Sequence, residues 1–240
     1  MLGHAVLISF AGACAGLIQG ITGMGGGMVL MLVLPYFFPV SQSAAISGAI
    51  CLFLTFLMLM RYRKFINLRL AISTAVLYSL ASLTAINLSV GMDSVRIQKF
   101  FGGFLIILSA FLLLRKENDS FTTLKVTSIL FPLISGICDG FFGVGSPLMV
   151  LFFTAKTKTK GEYLGSIQLM FFLTLLANTV LRLYRHIIGP GNIPGILFGF
   201  LGIFGGLQIA NCIVGKINSE SLKKMAYCAI GISGVYNLII

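Results

Sequence analysis

Few residues in this 240-residue chain can do chemistry, and those that can lie inside apolar runs. Asp139 is the only acidic residue within any such run. A carboxylate at the centre of a membrane helix costs roughly 2.5–3.5 kcal/mol on insertion scales, so it is expected to face a cavity or a partner. There it is a candidate carrier of a coupling proton; the alternative is a capping or helix–helix hydrogen bond. Asp139 belongs to Gly136-Ile-Cys-Asp-Gly-Phe-Phe-Gly-Val-Gly-Ser-Pro147, which echoes Gly16-Leu-Ile-Gln-Gly-Ile-Thr-Gly-Met-Gly-Gly-Gly27. A shift of 120 residues lays Gly16, Gly20, Gly23 and Gly25 on Gly136, Gly140, Gly143 and Gly145, and Gln19 on Asp139.

Glycine disfavours helix by about 1 kcal/mol relative to alanine, so both stretches are expected to break their helices. Serine is a preferred N-cap and proline suits the first helical position, so Ser146 and Pro147 predict a short helix starting at Pro147. In the first half the amides of Gly25, Gly26, Gly27 and Met28 do the same work. Two helix N-termini, at Gly23–Gly27 and Gly143–Pro147, would together hold an anion without a buried cation. Gln19 and Thr22 flank the first of them. Gln168 and Asn178, ten residues apart, share one helix face, and Arg182 follows one turn later. This stripe is read as pointing at the cavity, with Arg182 drawing anions to the outer mouth; snorkelling at a helix end is the competing reading for Arg182 and Arg185. Gly12, Gly16, Gly136 and the stripe from Gly195 to Ala210 are read as close-packing faces.

Other chemistries find no support in the sequence. There is no nucleophile–base pair, and the glycine stretches lack the lysine and fold context of a phosphate loop. Five cysteines are scattered singly and His4 and His186 are the only histidines, so no metal, cofactor or enzymatic activity is expected. A net charge of +11 on a chain that is 58% hydrophobic and 10% charged is read as basic loops against anionic lipid, not as nucleic-acid binding.

With mean hydropathy +1.02, the chain is an all-α polytopic membrane protein. Its N-terminus lacks the basic region of a cleaved signal, so the first run is kept as a membrane segment. The apolar segments are Leu2–Thr22, Gly27–Phe38, Ser43–Met60, Leu70–Val90, Phe100–Leu114, Val126–Phe142, Pro147–Ala155, Tyr163–Leu181, Ile193–Val214 and Met225–Ile240. They divide into a first repeat over 1–117, a cytoplasmic linker at 118–125 and a second repeat over 126–240. Suppose each broken pair returns the chain to its starting side, or crosses as two full spans. Then Arg61, Arg63, Lys64, Arg69, Arg115, Lys116, Lys125, Lys156, Lys158, Lys160, Lys216, Lys223 and Lys224 share a side. These thirteen stand against Arg96, Lys99, Arg182 and Arg185, a bias that marks the cytoplasmic face. Five segments per half then make two inverted repeats, each with a discontinuous helix pair, and both termini lie outside. Such repeats are the hallmark of secondary transporters working by alternating access. The reading is therefore a carrier of a small anion, with protons as a coupling ion; a passive anion channel would use the same helix ends.

The paired motifs Gly20-Ile-Thr-Gly-Met-Gly-Gly-Gly27 and Gly140-Phe-Phe-Gly-Val-Gly-Ser-Pro147, with the basic stretch from Arg61 to Lys64, resemble the sulfite exporter TauE/SafE family of membrane permeases. The resemblance covers nearly the whole chain. It implies a prokaryotic cytoplasmic-membrane carrier of sulfite, a sulfonate or another organic anion. Asp139 stands where the family motif more often has a small residue, and Ser146 where a further glycine is common.

Overall fold

A computed structural model of the protein describes residues 2–114, 126–213, 231, 234–235 and 237–239. These fold into helices, with no strand among them. In order they are α1 (Leu2–Thr22), α2 (Gly26–Val33), α3 (Val40–Tyr62), α4 (Leu68–Ser89), α5 (Ser94–Leu114), α6 (Thr127–Phe142), α7 (Ser146–Lys156), α8 (Lys160–Tyr184) and α9 (Ile193–Ile213). Linker 118–125 and most of the tenth predicted segment fall outside the described residues. Helix α5 starts at Ser94, not at Phe100, because Arg96 and Lys99 extend the helix beyond its apolar run. Val40–Phe65, Leu68–Ser89, Lys160–Tyr184 and Pro190–Cys212 are long and apolar enough to cross a membrane. Helices α2 and α7, of 8 and 11 residues, are far short of the roughly 20 that a span needs.

One end of the bundle is fixed by two helix caps. Asn67 accepts the amide of Leu70 at the start of α4, and Thr159 accepts that of Glu162 at the start of α8. The caps are tied together, since Asn67 also donates to Glu162 at 3.1 Å and its own amide donates to Ser166 at 2.8 Å. Arg61, Arg63, Lys64, Arg69, Lys156, Lys158 and Lys160 are exposed around this basic end. The clusters at Arg115–Lys125 and Lys216–Lys224 fall outside the described residues. At the other end Arg185 donates to Asn87 at 2.6 and 2.9 Å, and Gln42 to Asn192 at 3.2 Å.

Close approach of backbones sets the helix directions. Gly12 lies against Gly199, Gly16 against Ile203 and Gly20 against Ala210, so α1 and α9 run the same way. Gly136 lies against Tyr78 and Gly140 against Ser82 and Ala85, so α6 runs with α4. Small residues permit this because lipid supplies no hydrophobic drive between helices and dispersion contacts must hold them. Helix α4 leaves the basic end and α9 approaches it, so α1 runs toward that end and α6 away from it. Helices α2 and α7 fold back along α1 and α6. Between the pairs lie α3 and α8, packed on each other, with α3 the most enclosed of the four long helices. Outward positions such as Phe10, Ile72, Val76, Leu80, Ile107 and Leu201 are exposed and apolar, as a lipid-facing surface requires.

Candidate functional site

Both breaks are closed by the same turn. Gly23 has φ 80° and donates its amide to Gln19 O at 2.7 Å; Gly143 has φ 67° and donates to Asp139 O at 2.8 Å. Any residue with a Cβ would be strained there by about 1–2 kcal/mol. The next helix then starts after Gly25 in the first half and after Gly145 in the second. Helix α7 begins at Ser146 with Pro147 in second position, one residue earlier than the sequence reading placed it, because Gly145 occupies the cap.

The two breaks touch. A Cβ on Gly27 would stand 3.1 Å from the carbonyl oxygen of Gly143. Around this crossing is a cavity of about 40 Å³. Its walls are Gln19, Gly25 and Gly27 from the first break and Asp139, Gly143, Gly145 and Ser146 from the second. Ser47, Gly48, Cys51 and Thr55 of α3, Tyr78 of α4 and Phe171 and Leu175 of α8 complete them. The space suits roughly two or three waters, or one small ion.

A hydrogen-bond network behind the walls holds the breaks open. Gln19 accepts the amide of Gly26 at 3.0 Å and donates to Gln168 at 3.3 Å, while Gln168 donates to the carbonyl of Gly23 at 2.9 Å. At the second break Asn178 donates to the Asp139 carboxylate at 2.7 Å and accepts from Ser82 at 2.8 Å. The Tyr78 hydroxyl engages the same carboxylate. Arg182 donates to the carbonyls of Asp139 and Gly140, both at 3.1 Å, and to that of Ala44 at 2.6 Å. The first two lie in the last turn of α6, where Asp139 O also accepts the Gly143 amide, and the third is on α3.

Several expected site residues therefore sit elsewhere than the sequence reading put them. Arg182 is only 2% exposed: it is neither at an outer mouth nor snorkelling, because the carbonyls at the end of α6 draw its guanidinium inward. Arg185 occupies the exposed helix end instead. Gln168 and Asn178 do share a buried face of α8, but they bind the breaks from behind, and the cavity-facing residues of that helix are Phe171 and Leu175. Thr22 bonds within its own turn, to Ile18 and Met24. Gly23, Gly26 and Pro147 shape the turns without lining the space. Sequence reasoning missed Gly48, Cys51, Thr55 and Tyr78. The four-residue spacing of Ser47, Cys51 and Thr55 was a signal for the α3 wall, whereas Tyr78 gave none.

Two broken helices that meet at a small cavity walled by glycines and a few polar side chains form an arrangement found in membrane transporters. Residues 8–237 match the family described as Sulfite exporter TauE/SafE, and the chain belongs to that family. No curated protein and no solved structure gives a significant match. Membership makes this a multi-pass membrane transport protein.

Proposed function

We propose that the protein moves a small sulfur-containing anion, sulfite or an organosulfonate, across a prokaryotic cytoplasmic membrane by alternating access. The observation that carries this reading is that the N-termini of α2 and α7 open onto one cavity. Each helix start presents about half a positive charge, so an anion between Gly25, Gly27, Gly145 and Ser146 is favoured from both sides. Gly23, Gly26, Gly143 and Pro147 set the turns, and Thr22, Gln168, Asn178 and Arg182 hold them. The family description supports sulfite as the first substrate to test.

Asp139 is the odd member of such a site. An ionised carboxylate in the cavity wall repels an anion, so the anion enters when Asp139 carries a proton, and the two cross together. Gln19, its counterpart, cannot titrate. The opposed directions of α1 and α6 support two inverted repeats, 1–117 and 126–240, that rock about α3 and α8. The positive-inside rule then puts the basic end in the cytoplasm and both termini outside.

Flux into proteoliposomes tests the function. Sulfite or sulfoacetate uptake is expected to saturate and to respond to an imposed proton gradient. Flux that rises without saturation would identify a passive channel, and no flux of any sulfur-containing anion would reject the reading.

A further inference from the structure

A second pocket opens at the basic end, between α4, α6 and α7. At about 460 Å³ it is far larger than the central cavity. Arg69 and Lys156 line it from different helices, with hydroxyls of Ser73, Thr74 and Ser128 between them and Leu70, Leu77 and Phe152 as an apolar floor. No carboxylate among the described residues is in the lining. Glu162, bonded to the lining residue Asn67, is also engaged by the amide of Lys158. Among the described residues neither Arg69 nor Lys156 has a hydrogen-bonding or ion-pair partner. Lys156 also lies in the last turn of α7, where a cation suits the helix dipole, but that position does not require Arg69 to converge on the same pocket.

We infer that this pocket is a second anion site, which takes an oxyanion group, sulfonate, sulfate or phosphate, between Arg69 and Lys156. The guanidinium offers a planar fork to two oxygens, and the ammonium and the Ser128 hydroxyl reach the rest, the Ser73 and Thr74 hydroxyls being bonded to the α4 backbone. The oxyanion has two possible sources. One is a free anion held at the basic mouth; the other is the phosphate of an anionic phospholipid whose chains follow the exposed apolar faces of α4 and α6. The site is independent of the central cavity and of the cargo assigned to it.

The test uses the full chain and the double variant Arg69→Gln/Lys156→Gln. The first arm titrates sulfate into protein in phosphatidylcholine nanodiscs by calorimetry. The second records by native mass spectrometry how much phosphatidylglycerol the protein retains from a mixed bilayer. The double variant is expected to lose one sulfate site, retained lipid, or both, by at least tenfold. Loss in the first arm alone assigns the free anion, and loss in the second alone assigns the lipid. Arg61→Gln/Lys64→Gln removes the same charge from the same end outside this pocket and is expected to leave both arms unchanged. Unaltered binding in the pocket variant, or an equal loss in the control, overturns the site.

Discussion

The side-chain amide of Asn178 donates to the carboxylate of Asp139 across 2.7 Å, joining α8 to the last turn of α6. Both side chains are buried. Ten residues earlier on α8, Gln168 makes the matching contact with the first break, through Gly23 and Gln19. A single long helix therefore holds both discontinuities, and the cavity between them inherits its shape from α8.

Removing the Asn178 amide leaves Asp139 and Ser82 each short of a buried partner. Asn178→Ala is expected to destabilise the protein by about 1–3 kcal/mol. A lowered midpoint of thermal unfolding in detergent checks this, and the loss should shrink when Asp139 is already alanine, because the two share one interaction.

Arg182 satisfies three carbonyls at once, which a lysine ammonium on a flexible stem does not reproduce. Arg182→Met is expected to cost about 3–5 kcal/mol, since it strips a buried charge from the groups arranged around it. Arg182→Lys should recover only part of the loss, while Arg185→Met, at the exposed end, should change the midpoint little.

How much of this was legible in the sequence depends on what each residue answers to. The breaks were readable because glycines that interrupt an apolar run have a local cost that must have a local reason, and the matched positions of Gly23 and Gly143 reinforced it. Asp139 was readable as the one acid in such a run. Arg182 was not, because two residues before the end of α8 an arginine can turn outward or inward. The choice is made by carbonyls in the last turn of α6, more than forty positions away in the chain. Tyr78 escaped for a similar reason: a tyrosine among apolar residues reads as packing until α6 lays its carboxylate beside it.

Cys51 lines the cavity, so a variant keeping it as the sole cysteine should react with a small thiol reagent. Saturating sulfoacetate is expected to slow that reaction several-fold. Equal rates with and without the anion would show that the cavity is not where the anion sits.

Proton coupling through Asp139 has a defined sign. A sulfonate keeps its charge across the neutral range, so any pH dependence belongs to the protein. Wild-type affinity should rise as pH falls, because protonation removes the repelling charge, and Asp139→Asn should transport with an affinity independent of pH. A pH profile in the asparagine variant that matches the wild type would remove Asp139 from the coupling.

If the crossing of the two breaks grips the anion, a substitution at Gly27 should weaken that grip. A methyl there stands 3.1 Å from the Gly143 carbonyl, tight enough that the neighbouring break must give way slightly, whereas one at Gly103 on α5 meets nothing within 4 Å. The measurement is radiolabelled sulfite exchange in proteoliposomes for wild type, Gly27→Ala and Gly103→Ala. At least a tenfold rise in KM is expected for Gly27→Ala and none for Gly103→Ala. An unchanged KM and rate in Gly27→Ala would contradict a grip at the crossing.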